Sequence, residues 1–111
     1  RIFSDQSVLT ELWLQNNKLA ELPASICSCI HISYLDLSHN SLLSLPDEIA
    51  LLQKLSKLLL SNNRLVKLPD GISKLIALTT LELACNQLVE LPDLSKTKLT
   101  VMDVHQNRLT S

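Results

Sequence analysis

Three residues within one short segment carry the side chains of a nucleophilic catalyst. Asp36, Ser38 and His39 supply a carboxylate, a hydroxyl and an imidazole, which are the groups of a serine-hydrolase triad. A triad is defined by the geometry of its groups, however, and the neighbouring sequence offers no oxyanion site. We therefore interpret these residues as surface positions on a strand and on the turn that leaves it.

A second group has the side chains of a metal site. Cys27, Cys29 and His31 stand at alternate positions, but structural zinc sites use cysteine pairs separated by about two to four residues and a complete tetrahedral set of ligands. This segment has neither that spacing nor a fourth ligand in view. No metal and no other cofactor is expected.

Both groups lie within a pattern that repeats along the chain. The segment Leu35–Leu42 reads L-x-L-x-x-N-x-L and is closed by Leu45 and Pro46. The pattern begins again at three other leucines and in one unfinished copy: Leu12, Leu58, Leu81 and Met102–Leu109. Successive copies are 23 residues apart, except the last, which follows after 21. The chain is therefore an array of structural repeats.

Each part of the repeat has a physical reading. The alternation Leu-x-Leu places both leucines on one side of a short strand, and parallel strands need a long return path. That return carries Pro-x-x-Ile-x-x-Leu, whose spacing predicts a short helical turn with proline in its first turn. The recurring asparagine is polar amid leucines, so we expect it to bond backbone groups of its own turn and of the neighbouring layer. The predicted structural asparagines are Asn17, Asn40, Asn63, Asn86 and Asn107.

The same phase assigns the less regular residues. Phe3, Cys29 and Met102 fall at core positions, whereas Cys27 aligns with Ala50 on the side away from the strands. With 46% hydrophobic residues and only 3% aromatic ones, the core of each layer is expected to be aliphatic.

The full pattern, L-x-x-L-x-L-x-x-N-x-L-x-x-L-P-x-x-I-x-x-L over residues 9–109, resembles leucine-rich repeat proteins. Its period resembles the intracellular 23-residue LPxxIxxL subclass of Ras-interacting scaffolds, Scribble and Erbin. The resemblance implies an α/β fold, a curved leucine-rich repeat solenoid with a parallel β-sheet on its concave face and short helical turns or loops on its convex face. We expect one domain over residues 1–111, with full repeats at 9–31, 32–54, 55–77 and 78–98. Partial repeats at 1–8 and 99–111 indicate a piece of a longer protein.

In this family the residues beside the strand leucines form the concave face, where partners bind. Trp13 and Tyr34, the only Trp and Tyr of the chain, fall on adjacent strands and face outwards. Aromatic anchors are enriched at interface hot spots, and the acids on this face would orient a basic partner. The predicted partner-binding residues are Glu11, Trp13, Tyr34, Asp36, Lys57, Leu59, Glu82, Asp103 and His105.

Two of these acids also suggest catalysis. Glu82 and Asp103 occupy matching positions on adjacent strands, which places their carboxylates roughly 5 Å apart, the separation found in retaining glycosidases. An open sheet face, however, lacks the pocket and the desolvation that separate the pKa values of two carboxyl groups. We expect no catalytic residues and no enzymatic activity in this chain.

The composition of the chain limits the classes of partner and the cellular compartment that we expect. The net charge of −1 disfavours nucleic acid, and no apolar run is long enough for membrane insertion. An odd number of cysteines, and repeat asparagines without an N-x-S/T sequon, favour the cytoplasm.

The resemblance then implies a protein–protein interaction module of a cytoplasmic signalling or scaffold protein, with a small GTPase or a phosphatase subunit as partner. The alternative is the recognition segment of a multidomain enzyme, a ubiquitin ligase or a Roco-type GTPase kinase, whose catalytic domain lies outside this chain. A spacer role, with other repeats binding the partner, is a third reading.

Overall fold

A computed structural model describes residues 8–109, where 3₁₀ helices connect the first four of five short strands. The strands are β1 Glu11–Trp13, β2 Tyr34–Asp36, β3 Lys57–Leu59, β4 Thr80–Glu82 and β5 Val101–Asp103. The helices are Ala24–Ser28, Asp47–Leu51 and Asp70–Lys74. Each strand pairs in parallel with the strand of the next repeat, in the order β1-β2-β3-β4-β5. The predicted solenoid is confirmed; the predicted packing of Phe3 lies outside the described residues.

The middle residue of each strand points into the core. Leu35, Leu58 and Leu81 are completely buried, because the neighbouring layers cover them on both sides. Leu12 in β1 is only half-buried. Met102 in β5 is 44% exposed, so its prediction as a core residue is wrong. The reason is positional, since β5 is the last strand of the part of the chain that the structure describes.

The return path is a single 3₁₀ turn set by proline. Pro46 precedes the helix Asp47–Leu51 as its N-cap, in an extended conformation, rather than standing inside its first turn as predicted. The Pro46 carbonyl accepts the Ile49 N–H at 3.1 Å, and Asp47 and Glu48 bring negative charge to the start of the helix. Ile49 and Leu52 then pack into the core from the side opposite the sheet, and both are completely buried. No helix described in residues 8–109 is long and apolar enough to cross a membrane.

The fourth repeat replaces this turn with a shorter loop. Here the chain is two residues shorter, and the segment after Pro92 forms a turn instead of a helix. Asp93 Oδ1 accepts the Ser95 N–H at 2.9 Å, and the Leu94 carbonyl accepts the Thr97 N–H at 3.1 Å. These local bonds satisfy backbone groups that a helix satisfies in the other repeats.

Cys27 corrects one sequence interpretation. Its side chain is completely buried, as is that of Cys29, although the alignment with Ala50 placed it on the outer side. Burial, followed by the charge of Glu48, raises the pKa of the Cys27 thiol to about 11. The helix Ala24–Ser28 therefore turns Cys27 inwards, where it behaves as a small apolar residue, and Cys29 is buried at the C-cap of the helix.

The recurring asparagines bind successive layers together. Asn63 is 7% exposed; its Nδ2 donates to the Leu60 carbonyl of its own turn and to the Leu37 carbonyl of the preceding layer, each at 3.0 Å. Its Oδ1 accepts the Leu42 N–H of the preceding layer at 3.0 Å. The same set of bonds recurs at Asn40, Asn86 and Asn107. Asn17, at the first strand, is exposed and bonds its own turn.

Candidate functional site

The register of the sheet arranges the outward-facing strand residues in two rows, and these rows are called the concave face below. The first row is Glu11, Tyr34, Lys57, Thr80 and Val101, and the second is Trp13, Asp36, Leu59, Glu82 and Asp103. Every predicted partner-binding residue except His105 lies in these rows, and His105 stands two positions after Asp103 at the exit of β5. The set predicted from the sequence therefore forms one continuous surface.

Two aromatic rings stack on this surface at one edge of the sheet, on β1 and β2. Trp13 and Tyr34 are stacked, with ring centroids 4.6 Å apart and an interplanar angle of 26°. The Trp13 indole Nε1 donates to Glu11 Oε1 at 3.2 Å, which fixes the direction of the ring. Trp13 nevertheless keeps 54% of its surface exposed. A large aromatic surface that is oriented and still open to solvent suits an interface anchor.

The acids of the concave face differ in their availability. Asp36 is 7% exposed, and its Oδ1 accepts the Ser38 N–H at 3.0 Å and the Ser38 hydroxyl at 2.7 Å. Asp36 therefore organises the strand exit as well as contributing charge. Burial raises the pKa of Tyr34, and the charges of Asp36, Glu82 and Glu11 raise it further. The tyrosine ring therefore lies in a negative potential.

At the other edge of the sheet, Asp103 is engaged by His105. Its Oδ1 lies 2.6 Å from His105 Nδ1 and accepts the His105 N–H at 3.2 Å. The bond to the side chain, and then the bond to the backbone, hold the pKa of Asp103 below its ordinary value. Asp103 pairs in register with Glu82, but Asp103 is exposed on an open sheet face, without the desolvation that separates the pKa values of two catalytic carboxyl groups. This carboxylate pair has the features of a charged surface.

The other candidate chemical groups are separated by the fold. Ser38 bonds Asp36, whereas the side chain of His39 turns towards the next repeat, with Nε2 at 3.4 Å from Asn62 Nδ2. Of the candidate metal ligands, Cys27 and Cys29 are in the core, while His31 Nδ1 lies 3.1 Å from Lys54 Nζ. Within residues 8–109 no group of three or more His, Cys, Asp or Glu side chains is placed to hold a metal ion.

The sequence profile of the leucine-rich repeat family matches residues 7–65, which is more than half of the chain. The chain belongs to the leucine-rich repeat family. A leucine-rich repeat protein of Leptospira interrogans is 38% identical, with a TM-score of 0.89, over 93% of this chain and 27% of that chain. The leucine-rich repeat ectodomain of the receptor kinase SOBIR1 from Arabidopsis thaliana is 31% identical, with a TM-score of 0.77, over 90% of this chain and 58% of that chain.

An internalin of Listeria monocytogenes is 25% identical, with a TM-score of 0.78, over 93% of this chain and 30% of that chain. The chain thus spans less than two thirds of each of these structures. No curated protein was found to match it. These leucine-rich repeat relatives include bacterial proteins and a receptor ectodomain, and the fold supports a protein–protein interaction module; such repeats are generally binding domains without catalysis.

Two features of this leucine-rich repeat surface were not predicted. Val101, in the first row, is 50% exposed and adds an apolar side chain to the concave face at β5. The second feature is an exposed apolar stripe on the turns that leave the sheet, where one apolar residue directly follows a buried leucine in each of three repeats. Its residues are Leu43, Val66 and Val89, with exposures of 58%, 43% and 41%. Its 23-residue recurrence was visible in the sequence.

Proposed function

We propose that this chain is the protein-binding module of a cytoplasmic signalling or scaffold protein, and that its partner binds the concave face. The observation that carries the proposal is the Trp13–Tyr34 stack, in which Glu11 holds the Trp13 ring and leaves it exposed on a continuous outward surface. Exposed aromatic anchors supply most of the binding energy in many interfaces.

The cytoplasmic assignment is supported by the cysteines. All three are free thiols, at Cys27, Cys29 and Cys85, and extracellular repeat proteins more often use their cysteines in disulfides. The LPxxIxxL period resembles that of Ras-interacting scaffolds, Scribble and Erbin, and this resemblance is the reason for naming a small GTPase or a phosphatase subunit as the class of partner.

A second candidate function is the recognition segment of a multidomain enzyme, such as a ubiquitin ligase or a Roco-type GTPase kinase. The observation in its favour is the similarity to the ectodomain of SOBIR1, which is named a receptor kinase and so joins leucine-rich repeats to a catalytic domain. Both candidates place binding, and no catalysis, in this chain.

The test is affinity capture from a cell lysate, read by mass spectrometry. The baits are the chain, a Trp13→Ala/Tyr34→Ala variant, and a matched Leu43→Ala/Val66→Ala variant that removes exposed apolar surface outside the concave face. All three are first checked for equal melting temperature. We expect the first variant alone to lose specific partners, whose identities separate the two candidates. Partners lost only from the second variant would move the binding surface to the exposed stripe, and equal capture by all three would leave a spacer role.

A further inference from the structure

We propose that the partner of the concave face presents an arginine-bearing basic segment, with a guanidinium group over the Trp13 ring and against the neighbouring carboxylates. This inference rests on the proposed function, because it names the chemistry of the partner bound at the same surface. Three observations carry it: the aromatic stack, the distribution of charge, and the hydrogen bonds that the carboxylates near the stack already accept.

The stack offers a ready site for a planar cation. Tyr34 supports Trp13 at a centroid distance of 4.6 Å, and Glu11 accepts the indole N–H at 3.2 Å. The indole is therefore oriented before any partner arrives, so less side-chain entropy is lost on binding. Its ring face carries negative electrostatic potential, which attracts guanidinium and ammonium groups.

The concave face has an excess of negative charge that the rest of the chain does not share. The two rows contain four carboxylates against one lysine, a net charge of −3, whereas the whole chain carries −1. The remainder of the chain is thus net positive. The raised pKa of Tyr34, to which Asp36, Glu82 and Glu11 contribute, agrees with a negative potential at the stack itself. An acidic segment would be repelled here, and a basic one attracted.

The existing bonds select arginine among the basic side chains. Asp36 is buried and directs its Oδ1 to Ser38, so it contributes charge beneath the surface. Glu11 is exposed and directs its Oε1 to the indole N–H, so its second oxygen has no side-chain bond among the described residues. A guanidinium group can stack on a ring through its plane while its edge donates to such an oxygen, whereas an ammonium group is a point charge with a tight hydration shell. We therefore expect an arginine peptide to bind more tightly than a lysine peptide of equal charge.

The probes are hexa-arginine, hexalysine and hexaglutamate peptides with blocked ends. Trp13 is the only tryptophan of the chain, so its fluorescence reports binding at the proposed site directly. In about 0.15 M salt, where long-range attraction is screened, we expect hexa-arginine to change Trp13 emission saturably. Hexalysine should bind about tenfold more weakly, and hexaglutamate should leave the emission unchanged.

Variants then localise the contact by calorimetry, which needs no tryptophan. We expect Trp13→Ala and Glu82→Gln each to weaken hexa-arginine about fivefold to tenfold. Tyr34→Phe, which keeps the stacked ring, should change the affinity less than about twofold. Glu48→Gln, an equal loss of charge on the helix Asp47–Leu51, should also change it less than about twofold.

Three results would overturn the inference: no emission change with hexa-arginine, equal affinities for the arginine and lysine peptides, or equal losses in Glu82→Gln and Glu48→Gln. Any of them, with partners still lost on Trp13→Ala/Tyr34→Ala in the capture experiment, would leave the concave face as a protein-binding surface for a partner of other chemistry. Loss of no partner in that experiment would instead refute the proposed function itself.

Discussion

Replacing Asn63 with alanine tests the physical basis of the repeat. The asparagine side chain is almost completely buried and joins two layers. Its Oδ1 accepts the Leu42 N–H, and its Nδ2 donates to the carbonyls of Leu37 and Leu60. Asn63→Ala removes all of these bonds at once, without adding any bulk to the core.

The expected loss of unfolding free energy depends on which backbone groups keep a hydrogen-bond partner in the variant. The Leu37 carbonyl still accepts from Asn40 at 3.0 Å, and the Leu60 carbonyl still accepts from Asn86 at 2.9 Å. The Leu42 N–H has Asn63 Oδ1 as its acceptor, and alanine leaves that donor buried without one. A buried donor without a partner costs ~1–3 kcal/mol, so we expect a loss of about 2 kcal/mol of unfolding free energy. For a chain of this size that lowers the Tm by roughly 8 °C.

The assay is urea denaturation and thermal melting followed by circular dichroism. Asn17→Ala is the matched control, because Asn17 is exposed and its side chain bonds its own turn, at the carbonyls of Leu14 and Gln15. We expect this control to lose less than about 1 kcal/mol. If the two variants lost the same free energy, or if Asn63→Ala left the midpoint unchanged, the bonds between layers would not be a source of the stability of the fold.

Three further expectations test the inside and outside of the fold. Leu60→Ala should lose ~2–5 kcal/mol by opening a core cavity, whereas Leu59→Ala should lose less than about 1 kcal/mol; a reversal in denaturation experiments would place the strand residues out of phase. Of the three thiols, Cys85 should react with Ellman's reagent in the native chain, and the two that are completely buried should react only after unfolding. The Asp103 carboxyl should titrate below its ordinary pKa in an NMR experiment, because hydrogen bonds from His105 favour the charged form. His105→Ala should raise that pKa; without such a rise, the bond would not be the cause.

The sequence alone was sufficient to predict the strands and their inward-facing residues, because every copy of the repeat must agree with the others. A single Leu-x-Leu pair cannot distinguish a strand from a helix, but several copies 23 residues apart must all stack in one register. The pairing of Leu35 with Leu58, and of Glu11 with Tyr34, follows from that requirement. The outward position of Trp13 follows in the same way, because side chains alternate along a strand.

Cys27 shows where position within a repeat is insufficient. Its equivalent, Ala50, is half-buried and Ser73 likewise, yet the Cys27 side chain is completely covered. The repeat pattern fixes the direction of the chain, but the depth of a side chain on the convex side depends on the residues that surround it in space. Glu48 lies near Cys27, whereas Gly71, which has no side chain, lies next to Ala50, so alignment alone could not supply the answer.

The residue before each recurring asparagine has a backbone conformation that its residue type does not reveal. All five of these residues adopt the left-handed conformation, with φ between 56° and 63°: Asn16, His39, Asn62, Cys85 and Gln106. Non-glycine residues avoid this region, and asparagine tolerates it best. Only two of the five are asparagine, so the preference is diluted. The backbone bonds explain why the others accept the strain, since the Cys85 N–H still reaches the His105 carbonyl at 2.9 Å. Hydrogen bonding between layers therefore outweighs a local preference, and a rule that reads one residue at a time cannot detect it.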